Sequence, residues 1–214
     1  MMQNSKPVLV ALSWLQIALM PMLYLWSAGI QWSLTLVATL LFTLCLAGAR
    51  GQIKLIWWLA TAAIFGVIAA SAQWLLLPVI LAQVVYSGLI NSQKLSQALE
   101  ITLWTISVFF AQMVLLYQLM QGTTWQLLLL LAVLLIPQVI SVWADRMPVW
   151  LALIMLAAVA VIGYFSGQLT LIAAGALVVI AAASSTRVLK VNANLQALAS
   201  VLIGVIFILS RLHG

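Results

Sequence analysis

Few side chains in this sequence could do chemistry. The 214 residues include two carboxylates, Glu100 and Asp145, one histidine, His213, and one cysteine, Cys45. General acid–base catalysis by carboxylates needs a positioned pair, and nothing in the sequence brings these two acids together. Glu100 opens an apolar run, where the positive end of a helix favours an acid. Asp145 adjoins Arg146 just after another run, so local capping and charge pairing account for both. His213 has no Cys, His, Asp or Glu nearby to complete a tetrahedral metal site. Cys45 lies within an apolar run and has no base beside it to activate a thiolate. A glycine loop of the nucleotide-binding kind, closed by Lys and Ser or Thr, is also missing. The residues therefore predict no catalytic set, no metal site and no cofactor.

The informative polar groups are uncharged and sit inside apolar runs. They are Gln16, Gln83, Gln112 and Gln138, joined by Tyr86, Tyr117, Ser141 and Tyr164. An amide in hydrocarbon has no water to bond, so it must face a neighbouring helix or a wet cavity. Pro21, Pro78 and Pro137 lie in or at the ends of three of these runs, and each removes a backbone donor. Kinked helices with amides beside the kinks could line a path for a neutral, modestly polar solute. On that reading Gln83, Gln112, Gln138, Tyr86 and Tyr117 are the candidate lining residues, near kinks at Pro78 and Pro137. The plain alternative is that the amides join helices, at about 0.6 kcal/mol per bond. The dipeptide Pro137-Gln138 resembles the signature of the PQ-loop transporters, though the partner repeat expected of that family is missing.

The elements that must position these residues follow from composition. Apolar residues make up 67% of the chain and charged residues 5%, against about 25% charged in a soluble domain. Ten charged side chains cannot cover a body of this size, so lipid is the expected solvent for most of its surface. Net charge is +6, but the basic residues are scattered singly and form no patch of the kind nucleic acid needs.

Polar and turn-forming breaks divide the chain into nine candidate spans: Val8–Ser27, Ile30–Gly48, Leu55–Ala70, Trp74–Ile90, Leu99–Met120, Trp125–Trp143, Val149–Phe165, Gln168–Ala183 and Leu195–Ser210. The first is expected to be a retained span, because its run is longer than a signal-peptide core and no clear cleavage site follows. The breaks alternate in kind. Ser27-Ala28-Gly29, Ser71-Ala72-Gln73, Gln121 to Thr124 and Ser166-Gly167 are uncharged. The others hold Arg50 and Lys54, Lys94 and Glu100, Asp145 and Arg146, and Arg187 and Lys190. With Lys6, seven of the eight basic residues fall on one side, and only Arg211 lies opposite. Cytoplasmic loops carry the Lys/Arg excess, which predicts a cytoplasmic N-terminus and an external C-terminus; the small loops and the composition make a bacterial inner membrane the expected location. Arg50, Lys54, Lys94, Glu100, Asp145 and Arg146 then mark the cytoplasmic interface.

Trp14, Trp58, Trp104 and Trp150 recur at gaps of 44, 46 and 46 residues. Each is followed by a span, an uncharged turn, a second span and a basic loop. Such a period predicts a two-helix hairpin repeated four times, with a ninth helix appended. The fold expected is an all-α polytopic transmembrane bundle, one domain over residues 1–214.

Nine spans with a charged cytoplasmic face resemble the layout of the UbiA-type prenyltransferases. That family holds magnesium diphosphate with two Asp-rich motifs. The corresponding loops here read Ala49-Arg50-Gly51-Gln52 and Trp143-Ala144-Asp145-Arg146, and one aspartate cannot replace those clusters. Three function classes remain: a carrier, channel or flippase for a neutral or amphiphilic solute; a non-catalytic accessory or scaffold subunit of a larger membrane complex; and a lipid-modifying enzyme. The expected partners are membrane lipid and, for the second class, another membrane protein.

Overall fold

The computed structural model describes residues 6–26, 29, 31–50, 54–120, 122, 124–185 and 193–212. Arg187, Lys190 and His213 lie outside the described residues, as do the side chains of Lys6, Asp145 and Arg211. Among the described residues there are nine α-helices and no strand. They are α1 (Lys6–Trp26), α2 (Leu34–Arg50), α3 (Leu55–Ala70), α4 (Leu77–Ser92), α5 (Gln97–Met120), α6 (Trp125–Trp143), α7 (Val149–Phe165), α8 (Leu171–Ser185) and α9 (Ala193–Leu212).

Hydroxyl side chains in the breaks start several of these helices. Thr124 Oγ1 accepts from Leu127 N at 3.3 Å, Ser33 Oγ from Leu36 N at 3.1 Å, and Thr170 Oγ1 from Ala173 N at 3.2 Å. Each satisfies one of the backbone donors that a helix N-terminus leaves unpaired. Gly167, at φ +71°, makes the turn between α7 and α8, where a left-handed backbone favours glycine.

Pro78 does not kink a helix interior. It lies in the first turn of α4, after a 3₁₀ turn at Trp74–Leu76, where its missing N–H has no intrahelical partner to lose. Pro21 and Pro137 do lie inside α1 and α6.

Among the described residues, four segments are long and apolar enough to cross a membrane: Trp74–Ser92, Gln97–Met120, Trp125–Trp143 and Ala193–Ser210. Pro7–Leu23, Leu34–Arg50, Leu55–Ala70, Val149–Phe165 and Leu171–Ile180 are apolar but shorter, at 10–17 residues. At 1.5 Å per residue the longest of these reaches about 25 Å, against a hydrocarbon core of about 30 Å.

The chain divides into two compact units. The first holds residues 1–95 and 106–123, which includes α1–α4 and the later part of α5. Here α2 packs on both α1 and α3, and α4 on α3. Phe42, Leu46, Ala62, Ala69, Ile80 and Val114 form its main core. Small residues let α2 and α3 approach closely. A Cβ added at Gly48 would fall 2.5 Å from the Trp58 ring.

The second unit holds residues 96–105 and 124–214. Here α6 packs with α7, α8 and α9, and α8 with α7 and α9. Ile140, Ala144, Ala152 and Leu156 form an apolar cluster within it.

The periodic tryptophans do not share an environment. Trp14 donates from Nε1 to Leu40 O at 3.4 Å, and Trp58 packs on the first unit's core. Trp104 is 1% exposed, whereas Trp150 is 63% exposed. The tryptophans flanking uncharged turns are more uniform: Trp26, Trp32, Trp74 and Trp125 are all exposed.

Candidate functional site

In the first unit, α4 carries Gln83 and Ser87 one turn apart, so both lie on one face of the helix. That face is buried, and Gln83 is 4% exposed. Gln83 Nε2 donates to the main-chain oxygen of Ser107 on α5 at 2.9 Å. This bond uses the nitrogen of the amide and leaves its oxygen to find a separate donor. Gln83 Oε1 has no hydrogen-bond partner, and neither do Ser87 Oγ and Ser107 Oγ. Three buried side-chain atoms of α4 and α5 are therefore unsatisfied. Each such atom costs about 1–3 kcal/mol of desolvation unless something bonds it.

Gln83 also lines a cavity of about 280 Å³, together with Val79, Ala82, Tyr86, Ile106 and Phe110. Its walls are almost wholly apolar and include no charged side chain. Gln83 and Tyr86 supply the polar character. Gln83 Oε1 is covered in this conformation, so a ligand in the cleft reaches it after a rotamer change among the lining side chains. The Tyr86 and Phe110 rings turn about a broad χ2, which allows one while Gln83 Nε2 stays on the Ser107 carbonyl.

Two of the candidate lining residues, Gln83 and Tyr86, thus meet at one cavity. Gln112 belongs to the same unit but faces elsewhere: its Nε2 donates to Gln16 O on α1 at 2.9 Å. Tyr117 packs against the apolar core beside Val114. Gln138 lies in the second unit, where Nε2 donates to Ser200 Oγ at 2.8 Å and Oε1 accepts from Gln196 Nε2 at 3.4 Å. Gln196 Nε2 also reaches Thr105 Oγ1 at 3.2 Å. The result is a neutral side-chain network linking α5, α6 and α9. Trp143 Nε1 adds a further polar contact in this unit, donating to Thr102 Oγ1 at 2.7 Å.

Comparison with known proteins gives no match. No protein family model, no curated protein and no solved structure corresponds to this chain. The functional reading therefore rests on the chain's own residues.

Of the charged residues, Lys54 and Lys94 are exposed next to helix ends, and Glu100 lies in the first turn of α5. The Arg146 guanidinium stacks over the Trp143 ring at 4.7 Å, a cation–π contact. Arg50 behaves differently. It ends α2 at the charged loop, yet it is 4% exposed, and Nη1 donates to Ser13 Oγ on α1 at 3.1 Å. A cation therefore lies inside the first unit, two residues past the end of its apolar run. Among the described residues no group of three His, Cys, Asp or Glu side chains could hold a metal ion.

Ser87, Ser107 and Gln196 are buried polar residues that sequence reasoning passed over. Ser87 had one usable signal, its four-residue spacing from Gln83. Gln196 stood too near the start of its run to be separated from an interfacial residue.

Proposed function

We propose that this chain is a bacterial inner-membrane protein of nine spans that binds and moves a neutral or amphiphilic solute, with Gln83 and Tyr86 among its contacts. The observation that carries the reading is the α4–α5 cleft: apolar walls, no charge, and a buried amide with an unsatisfied oxygen at its edge. Small-molecule sites share that character, being mostly apolar with a few placed polar groups. The absence of any charge from the lining favours an uncharged solute, because an ion would leave water without a counter-charge to meet it.

The nine-span topology draws support from the four long apolar helices, the five shorter ones, and the exposed tryptophans beside the uncharged turns. Tryptophan rings suit the headgroup level. The short helices require local thinning of the bilayer or tilt of their neighbours. The one-sided distribution of lysine and arginine supports a cytoplasmic N-terminus. Reporter fusions after Gly51, Lys94, Asp145 and Lys190 should all read cytoplasm, and a periplasmic signal at any one of them breaks the topology.

The binding reading is tested by thermal-shift screening of the purified chain against neutral amphiphiles. A stabilising compound should lose its effect on Gln83→Leu. If no compound stabilises the wild-type chain and a partner co-purifies stoichiometrically from native membranes, the accessory-subunit reading replaces this one.

A further inference from the structure

We infer that the α4–α5 cleft selects a membrane-dissolved amphiphile whose head is a neutral hydrogen-bond donor, such as a hydroxyl, and that Gln83 Oε1 receives that head. The inference rests on the reading of the cleft as a binding site and adds the chemistry of what it binds.

Gln83 sets the head. Its Nε2 is already committed to the Ser107 carbonyl, so what the amide still offers is an acceptor. A hydroxyl head can donate to that oxygen, which satisfies the orphan atom. A carboxylate or phosphate would bring only acceptors to Gln83 Oε1 and would find no cation among the lining residues. An ammonium would find no anion. Either charge would also lose its hydration without compensation.

The cavity sets the tail. About 280 Å³ is nearly twice the roughly 150 Å³ cavity that holds one benzene, so about a dozen heavy atoms fit. Val79, Ala82, Ile106 and Phe110 offer this tail only dispersion and apolar contact. A medium-chain alcohol matches both halves of the site.

The test uses the full chain in nanodiscs and photolabelling with four diazirine probes of equal length: decanol, decane, decanoate and decylammonium. Labelled positions are read by peptide mapping. Decanol should label residues 79–86 and 106–110 about fivefold more than decane, the ratio that one net hydrogen bond produces. Gln83→Leu should bring decanol down to the decane level. The decane signal also reports that the cleft persists in the variant. Equal labelling by decanol and decane, or indifference of decanol to Gln83→Leu, overturns the selective head site while leaving an apolar binding cleft. Preference for decanoate or decylammonium overturns the neutral-head assignment. If no probe labels the cleft in the wild-type chain, both this inference and the binding reading beneath it fail.

Discussion

The two units handle buried amides in different ways. In the first, Gln83, Gln112 and Gln118 each donate to a main-chain oxygen, of Ser107, Gln16 and Ala69 respectively. In the second, Gln138 and Gln196 bond side chains: Ser200, Thr105 and each other. A carbonyl acceptor is present at every residue, so the first arrangement makes no demand on what type of residue faces the amide. A side-chain acceptor exists only if the right residue is there. The first unit's amides are therefore separate fasteners, and the second unit's are members of one network whose bonds depend on one another.

Substitutions can break or sharpen this contrast, and the largest effect is expected at a tryptophan. Trp104→Ala should destabilise the chain by about 3–5 kcal/mol, because it empties a fully buried site. Trp150→Ala, one period later, should cost about 0.5 kcal/mol or less, as an exposed residue does. Unfolding in detergent, followed by circular dichroism, checks both. Equal losses would restore the four periodic tryptophans as equivalent parts of a repeat.

Next in size is coupling within the network. A double-mutant cycle on Gln138→Leu and Gln196→Leu should give an interaction term of about 0.5–3 kcal/mol. The matching cycle on Gln112→Leu and Gln118→Leu should be additive within about 0.5 kcal/mol, since those amides share no partner. Coupling in the second cycle, or additivity in the first, removes the distinction between the units. The smallest effect is a single fastener. Gln112→Leu alone should cost about 0.6 kcal/mol, the mean for one interhelical bond in a membrane protein. Gln83→Leu should cost less, because it also deletes an unsatisfied oxygen.

The same contrast explains what could be read before the structure. The apolar runs Leu55–Ala70, Trp125–Trp143 and Val149–Phe165 coincide with α3, α6 and α7, because turn-forming residues bound them closely. The helix α2 begins at Leu34, later than its apolar run, because the Ser33 hydroxyl caps it. Pro78 looked like a kink because apolarity extends to Trp74, and only the backbone shows that the α-helix starts at Leu77. At the site, Gln83 and Tyr86 were legible as polar groups in hydrocarbon. Their surroundings were not, since the acceptor of Gln83 is a carbonyl and a serine in an apolar helix ordinarily bonds its own preceding turn. Ser87 and Ser107 are informative only because they do not.

The withdrawn guanidinium of Arg50 has a consequence for biogenesis. While α2 is being inserted without α1 beside it, that cation has the headgroup layer as its best solvent. Ser13 Oγ, on α1, accepts from Nη1 at 3.1 Å once the two helices are packed. Packing of the first two helices is thus tied to the burial of a charge at the end of α2.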